Sequence, residues 1–341
     1  MSDIFELTRK LSLLCGVSGD EGDVREFIKS VLPSDCQVDT DNLGNLLVYK
    51  KGRKAPENKV MLCAHMDEVG FIVTSVSEDG RLKFSPVGGI SPSVVFGRKV
   101  IFKNGTVGVI AAKPVHLLSD GEEDTQPKLS SLTIDIGASD RKEAEKYVAL
   151  GDTCTFMSEY EELGGGLIKG KALDDRLGCA VLLELLSKEQ EYDMYCAFTV
   201  QEEVGTRGAA CAAFNIKPDM AIVIETTTAC DIAGVEDENR VCVLGEGAVA
   251  SFMDKSTVYD RELYRLSFEC AEAAGVKCQT KTLVAGGNDS GAVHKAVGGI
   301  RTAALSVPTR YLHSPACVMK KEDALAVLKT AEKLFERLCE L

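Results

Sequence analysis

Several features that would point to familiar functions are missing from this sequence. Its 13 cysteines include no Cys-x-x-Cys pair, which argues against a structural zinc knot. No apolar run is long enough to span a bilayer. Basic residues are in deficit, 39 Lys and Arg against 52 Asp and Glu, and the net charge of -13 argues against nucleic acid or an anionic membrane as partner. No internal repeat or low-complexity stretch is present. Histidine is scarce, with four in 341 residues, so the position of each one carries information.

What remains is an ordinary globular composition, 45% apolar and 27% charged, long enough for two domains or one elaborated α/β domain. Cysteines without a secretory signal suggest reduced thiols and a cytoplasmic protein. Cys179 and Cys196 sit in apolar runs and read as small core residues. The early "LSLLCGV" follows charged residues and is short, so it reads as part of an amphipathic helix and not as a signal peptide.

Apolar spacing predicts a helix from Ser2, with Ile4, Leu7, Leu11 and Leu14 on one face, and a second helix over "EGDVREFIKSVL". "KVMLCA" is a continuous apolar run of the kind buried on both faces of a sheet. From about Gly70 to Gly166 the texture changes to short alternating segments with turn signals such as Asn104-Gly105, interrupted by one helix near Ser139 to Leu150. The acidic "SDGEEDTQPK" there reads as a loop. From "KALDDRLGCAVLLELLSK" onward, helices and apolar strands alternate to the end. The expectation is an α/β fold with a mixed, mainly parallel sheet flanked by helices, split by a mostly β insert that forms a small barrel. The expected domains are 1–69 and 167–341 for the α/β part and 70–166 for the insert.

Several buried-looking strands run into metal-capable or acidic residues. "KVMLCA" leads to His65 and Asp67, "YCAFTV" to Glu202 and Glu203, "MAIVI" to Glu225, and "TAALSV" within a few residues to His313. In open α/β sheets, ligands bind at the carboxyl ends of parallel strands. Singly, each residue has a plainer explanation. His65-x-Asp67 could be a simple hydrogen-bonded pair, and Asp174-Asp175 could cap a helix. Glu225 could open a solvated loop, and His313 could sit in a surface turn. His116 and His294 have no comparable context and are taken as structural.

Together, His65, Asp174, Glu203, Glu225 and His313 have the chemistry of a two-metal hydrolytic site. Three carboxylates, two divalent ions and a bridging hydroxide also balance in charge, as a buried site requires. On an extended chain neighbouring side chains diverge, so Glu203 could ligate while Glu202 acts as general base. Asp67 could hold the His65 imidazole in its ligating tautomer, and Asp174 could bridge the ions.

The ordered motifs "LCGVSGDEGDV", "DNLGNLLV", "LCAHMDEVGF", "KPVHLL", "LTIDIGA", "KALDDRLGC", "TVQEEVGTRGA", "GGNDSGAVH" and "PTRYLHSP" span almost the whole chain. In this order they resemble the cytosolic dinuclear metallo-aminopeptidases of the glutamyl and deblocking aminopeptidase family, some of which carry a cellulase or endoglucanase label. The resemblance implies a zinc-exopeptidase-like fold. It assigns His65 and Glu225 to one metal, Glu203 and His313 to the other, and Asp174 to both, with Glu202 as base. Two divalent ions are implied, zinc first with cobalt or manganese as alternatives, and peptides are the implied substrates. It also implies self-association through the inserted β domain, from dimers to a dodecamer. The family usually has aspartate where this chain has Glu225. The same dinuclear constellation also serves carboxypeptidases and N-acyl amidohydrolases, which stay open as alternatives. A glycosidase fits poorly, because its two carboxylates must flank a sugar roughly 5 to 10 Å apart.

Overall fold

The run Val60–His65 becomes a strand in which all six residues are buried, and its alternate side chains enter two different cores. Val60, Leu62 and Ala64 join one apolar cluster, while Met61 and Cys63 join another, so the strand is covered on both faces. The computed structural model describes residues 3–112 and 128–341. His116 and most of the acidic "SDGEEDTQPK" stretch lie outside the described residues.

Val60–His65 is one of four parallel central strands, in the spatial order Met194–Thr199, Val60–His65, Met220–Thr228 and Arg301–Arg310. Antiparallel strands flank this quartet. Leu46–Lys50 and Cys36–Thr40 lie on one side, and Cys317–Lys320, Leu167–Gly170 and Glu161–Leu163 on the other. The chain has therefore rejoined the large sheet by Glu161, a few residues before the end of the stretch expected as an insert. The helices Ile4–Leu13, Leu173–Ser187, Arg261–Ala273 and Lys321–Cys339 supply one face of the core, and the alanine-rich Arg207–Ile216 packs on the other. All 13 cysteines are free thiols, and Cys179 and Cys196 are buried in the core.

The second unit is a closed six-stranded antiparallel barrel built from Gly70–Val76, Leu82–Val87, Thr133–Asp135, Val107–Ala111, Lys99–Phe102 and Thr153–Phe156. Phe71 is fully buried at its centre, edge-on to Phe84 and Phe156. Gly105 takes a φ of +87° in the predicted Asn104-Gly105 hairpin.

Some local expectations needed adjustment. The first helix begins at Ile4, because Asp3 accepts the Phe5 N–H as its cap. The helix expected over 139–150 is a single turn, Arg141–Ala144. Ser139 and Glu143 start it well, but only Ala144 and Val148 reach the barrel core, so nothing holds a longer helix down.

Barrel and sheet are tied together at Glu68. Its buried carboxylate accepts from Lys171 Nζ at 2.8 Å, Arg176 Nη2 at 3.1 Å, the Gly16 N–H at 3.1 Å and, from the barrel, Thr155 Oγ1 at 2.6 Å. Each buried charge here has a partner, as burial demands. The junction fixes the backbone next to Asp67.

Candidate active site

Because the central strands are parallel, their carboxyl ends share one edge, and the predicted residues converge there. His65 closes the strand Val60–His65, and Glu225 lies within Met220–Thr228. Glu202 and Glu203 follow Met194–Thr199, and His313 follows Arg301–Arg310. Asp174 and Asp175 sit at the start of the helix Leu173–Ser187 with non-helical backbone angles. The two aspartates have separate tasks. Asp175 Oδ1 accepts the Gly178 N–H and caps the helix, which leaves Asp174 free to face the site.

Two donor groups result, His65–Asp174–Glu225 and Asp174–Glu203–His313, with Asp174 in both. His65 Nε2 lies 3.4 Å from Asp174 Oδ1 and 3.4 Å from Glu225 Oε1. His313 Nε2 lies 3.6 Å from Asp174 Oδ2 and 3.2 Å from Glu203 Oε2. Ligands about 2.0–2.2 Å from a tetrahedral zinc are spaced by about 3.4 Å, so both groups suit such an ion. Asp174 Oδ1 is buried and receives no hydrogen bond, which is also what a ligand oxygen requires.

The electrostatics point the same way. Burial works to lower the His65 pKa, but Glu225, Asp174 and Asp67 outweigh it and hold the imidazole well above its usual range. Burial also opposes protonation of His313, yet its contacts with Asp174 and Glu203 push it up to about 11. Burial raises Glu225 to about 8, with His65 opposing. A cluster this rich in carboxylates demands cationic charge, and its imidazole and carboxylate donors are those that zinc accepts.

Asp67 does more than orient His65. Its Oδ1 lies 3.3 Å from His65 Nδ1 and accepts the Glu202 N–H at 3.0 Å. Its Oδ2 accepts the Glu203 N–H at 3.1 Å and the Ser18 hydroxyl at 2.6 Å. This one carboxylate gathers the backbone of both glutamates into a turn after Gln201, whose φ is +56°, so the chain here is not extended. Glu202 lines the same cleft as Asp174, Glu203, Glu225 and His313, a cavity of about 530 Å³. Burial raises its carboxyl well above the usual carboxylate range; His65 opposes this, while Glu225 and Asp289 add to it. A larger hollow of about 1020 Å³ beside the edge strand Cys36–Thr40 contains neither donor group.

A family model described as M42 glutamyl aminopeptidase matches residues 44–330. The chain belongs to this family. It is similar to a glutamyl aminopeptidase of Lactococcus lactis subsp. cremoris, 32% identical, with 95% of this chain and 93% of the relative covered. It is equally similar, at 32% identity, to a lysyl aminopeptidase of Pyrococcus furiosus, with 98% and 97% covered. Among solved structures it resembles the Pyrococcus horikoshii TET1 peptidase, described as assembling into a tetrahedron or a large octahedral shell. The TM-score is 0.85 at 33% identity, over 97% of this chain and 99% of that one.

Other supports of this M42 site were not apparent in the sequence. His313 Nδ1 lies 2.7 Å from the Gly89 carbonyl, a partner contributed by the chain leaving the barrel strand Leu82–Val87. Asp289, in the "GGNDSG" motif, binds Thr199 Oγ1 at 2.5 Å at the end of the neighbouring strand, and burial raises its carboxyl to about 6. His294 is elsewhere occupied, with Nδ1 2.7 Å from the Ser290 carbonyl. Among the described residues, no helix is long and apolar enough to cross a membrane.

Proposed function

We propose that the protein is a metal-dependent aminopeptidase that releases N-terminal residues from peptides. The observation that carries this reading is the pair of donor groups sharing Asp174, with Glu202 in the same cleft, in a chain of this family. His65, Asp174 and Glu225 would hold one divalent ion, and Asp174, Glu203 and His313 the other. Two such ions, zinc in our reading with cobalt or manganese as alternatives, supply Lewis-acid charge and make water acidic enough to react near neutral pH.

The chain's own residues do the rest. Glu202 takes the proton from the attacking water on its carboxylate and later passes it to the leaving amine. Its burial raises the carboxyl well above the usual carboxylate range and so makes it a stronger base, as suits a group that must take a proton from water. Asp67 fixes the Glu202 and Glu203 backbone, and the Gly89 carbonyl holds the His313 ring. The barrel, expected as the inserted domain, is proposed as the surface for self-association toward a dodecamer. The likeness to TET1 peptidase, one structure of which is described as a dodecamer, supports self-association.

The deciding experiment incubates metal-loaded protein with unblocked peptides and follows the products by mass spectrometry. Loss of residues from the amino end, abolished by a chelator and restored by zinc, cobalt or manganese, is the expected result. Trimming from the carboxyl end, or release of N-acyl groups only, would replace this reading with one of the other dinuclear hydrolases.

A further inference from the structure

The family name leaves the preferred N-terminal residue open, since glutamyl and lysyl relatives are equally identical to this chain. One residue in the cleft bears on it. Three lysines are buried among the described residues: Lys50, Lys171 and Lys281. Lys50 donates to the Leu186 carbonyl and pairs with Asp35, and Lys171 donates to the Leu14 carbonyl and both oxygens of Glu68. Lys281 is only 7% exposed, and its ammonium, which keeps contact with solvent, forms no hydrogen bond or ion pair with any described residue. Its backbone N–H is fixed to the Ala250 carbonyl, and the residue lines the 530 Å³ cavity that also holds Glu202, Glu225 and His313.

Asp254 and Glu225 lie near enough to favour its charge, but neither forms an ion pair with it. Asp254 is engaged by the N–H and hydroxyl of Ser256, the Thr257 N–H and the Tyr259 hydroxyl. Glu225 is turned to His65. A largely buried ammonium that finds no hydrogen-bonding acceptor in the protein loses part of its hydration, and an apolar side chain of the same length would pack there without that cost. In the wall of the same cavity, the Thr226 hydroxyl is buried without a partner. Both groups are disposed to receive an acceptor that comes with the ligand.

We propose that Lys281 is the specificity-determining residue of this cleft, its ammonium receiving a carboxylate of the substrate. That carboxylate is the side chain of an N-terminal glutamate or aspartate, or the C-terminus of a dipeptide. The inference rests on the peptidase reading above and assigns that site its substrate class. A charged pair formed inside a cavity discriminates against the neutral isostere, because a glutamine offers the ammonium an amide oxygen but no opposite charge.

The test uses metal-loaded wild type, Lys281→Met, Lys281→Arg and Lys281→Glu. Substrates are the p-nitroanilides of glutamate, glutamine, lysine and leucine, and a dialanine peptide beside its C-terminal amide. For a side-chain carboxylate, wild type favours glutamate over glutamine by at least about tenfold in kcat/KM. Lys281→Met erases that ratio mainly through KM, Lys281→Arg restores it, and Lys281→Glu turns the preference toward lysine. For a C-terminal carboxylate, the Lys281-dependent preference appears instead for dialanine over its amide. Calorimetric binding of free glutamate against glutamine, in wild type and Lys281→Met, reads the pocket even if no anilide is cleaved.

Leucine anilide turnover with both ratios near one in wild type overturns the Lys281 inference and leaves the peptidase reading standing. So does a Lys281→Met protein with wild-type thermal midpoint and unchanged ratios. No turnover of any anilide or peptide, with glutamate still bound through Lys281, removes the peptidase reading and keeps the carboxylate site.

Discussion

Replacing Asp67 by asparagine is the sharpest probe of how the site is held, because size and shape stay the same while one acceptor becomes a donor. If the amide oxygen takes the Oδ1 position, the Glu202 N–H keeps its acceptor and so does His65 Nδ1. The new NH2 then faces the Glu203 N–H and Ser18. The Ser18 hydroxyl can rotate and accept, but the Glu203 N–H cannot, and it is left without a partner. In the opposite orientation the NH2 faces both the Glu202 N–H and His65 Nδ1, which is worse by one group. The first orientation therefore wins. One orphaned buried donor costs about 1–3 kcal/mol. Exchanging a charged acceptor for a neutral one weakens the remaining bonds as well, so the expected loss of folding stability is about 2–4 kcal/mol.

Activity and metal affinity should part company in this variant. His65 Nδ1 also lies 3.2 Å from the Asp67 backbone carbonyl, so its tautomer survives the change. Metal affinity should fall toward the mild end of the usual range, about tenfold. The turn carrying Glu202 and Glu203 loses its anchor, and misplacing a catalytic group by about 1 Å costs on the order of 100-fold. Urea unfolding, metal titration and steady-state kinetics measure the three quantities. Wild-type stability with wild-type kcat would refute the reasoning. A loss confined to metal binding would return Asp67 to the narrower task of orienting the imidazole.

Two further outcomes follow from other residues. Glu202→Gln should lower kcat by about 100- to 10,000-fold with metal content unchanged, since it removes the proton acceptor and spares both donor groups; full activity in that variant would remove Glu202 from the mechanism. Asp323 accepts the Gly245 and Gly247 N–H groups, but burial raises its carboxyl to about 6. A raised carboxyl pKa favours the fold below the unfolded value of about 4, and that contribution is lost as pH rises through about 6. Between pH 5 and 7.5 the wild type should therefore lose about 1 kcal/mol that Asp323→Asn does not, measured as the difference between their urea unfolding free energies. A pH-independent difference would contradict it.

The strand ends were legible in the sequence because a parallel sheet imposes a simple rule, apolar run first and candidate ligand after. His65, Glu203, Glu225 and His313 all follow it. Asp174 was legible only as one of an aspartate pair, and the backbone separates its task from the capping by Asp175. The local backbone at Glu202 and Glu203 was not legible: alternation along an extended chain was expected, but the chain turns there, held by a carboxylate 135 and 136 positions away. Bonds of that span leave no periodic trace, and neither does the Gly89 carbonyl behind His313, 224 positions distant.

Lys281 is the hardest case of this kind. A lysine in a sequence is read as a solvated side chain, and burial alone would not change that reading, since Lys50 and Lys171 are equally buried and fully satisfied. What sets Lys281 apart is an acceptor that no neighbouring side chain provides, and a missing contact becomes visible only after all the others have been placed. Residues that bind the substrate should be harder to find in a sequence than those that bind metal, because their partner arrives from outside the chain. The proposed metal ligands at least have one another, and their shared chemistry gives them away.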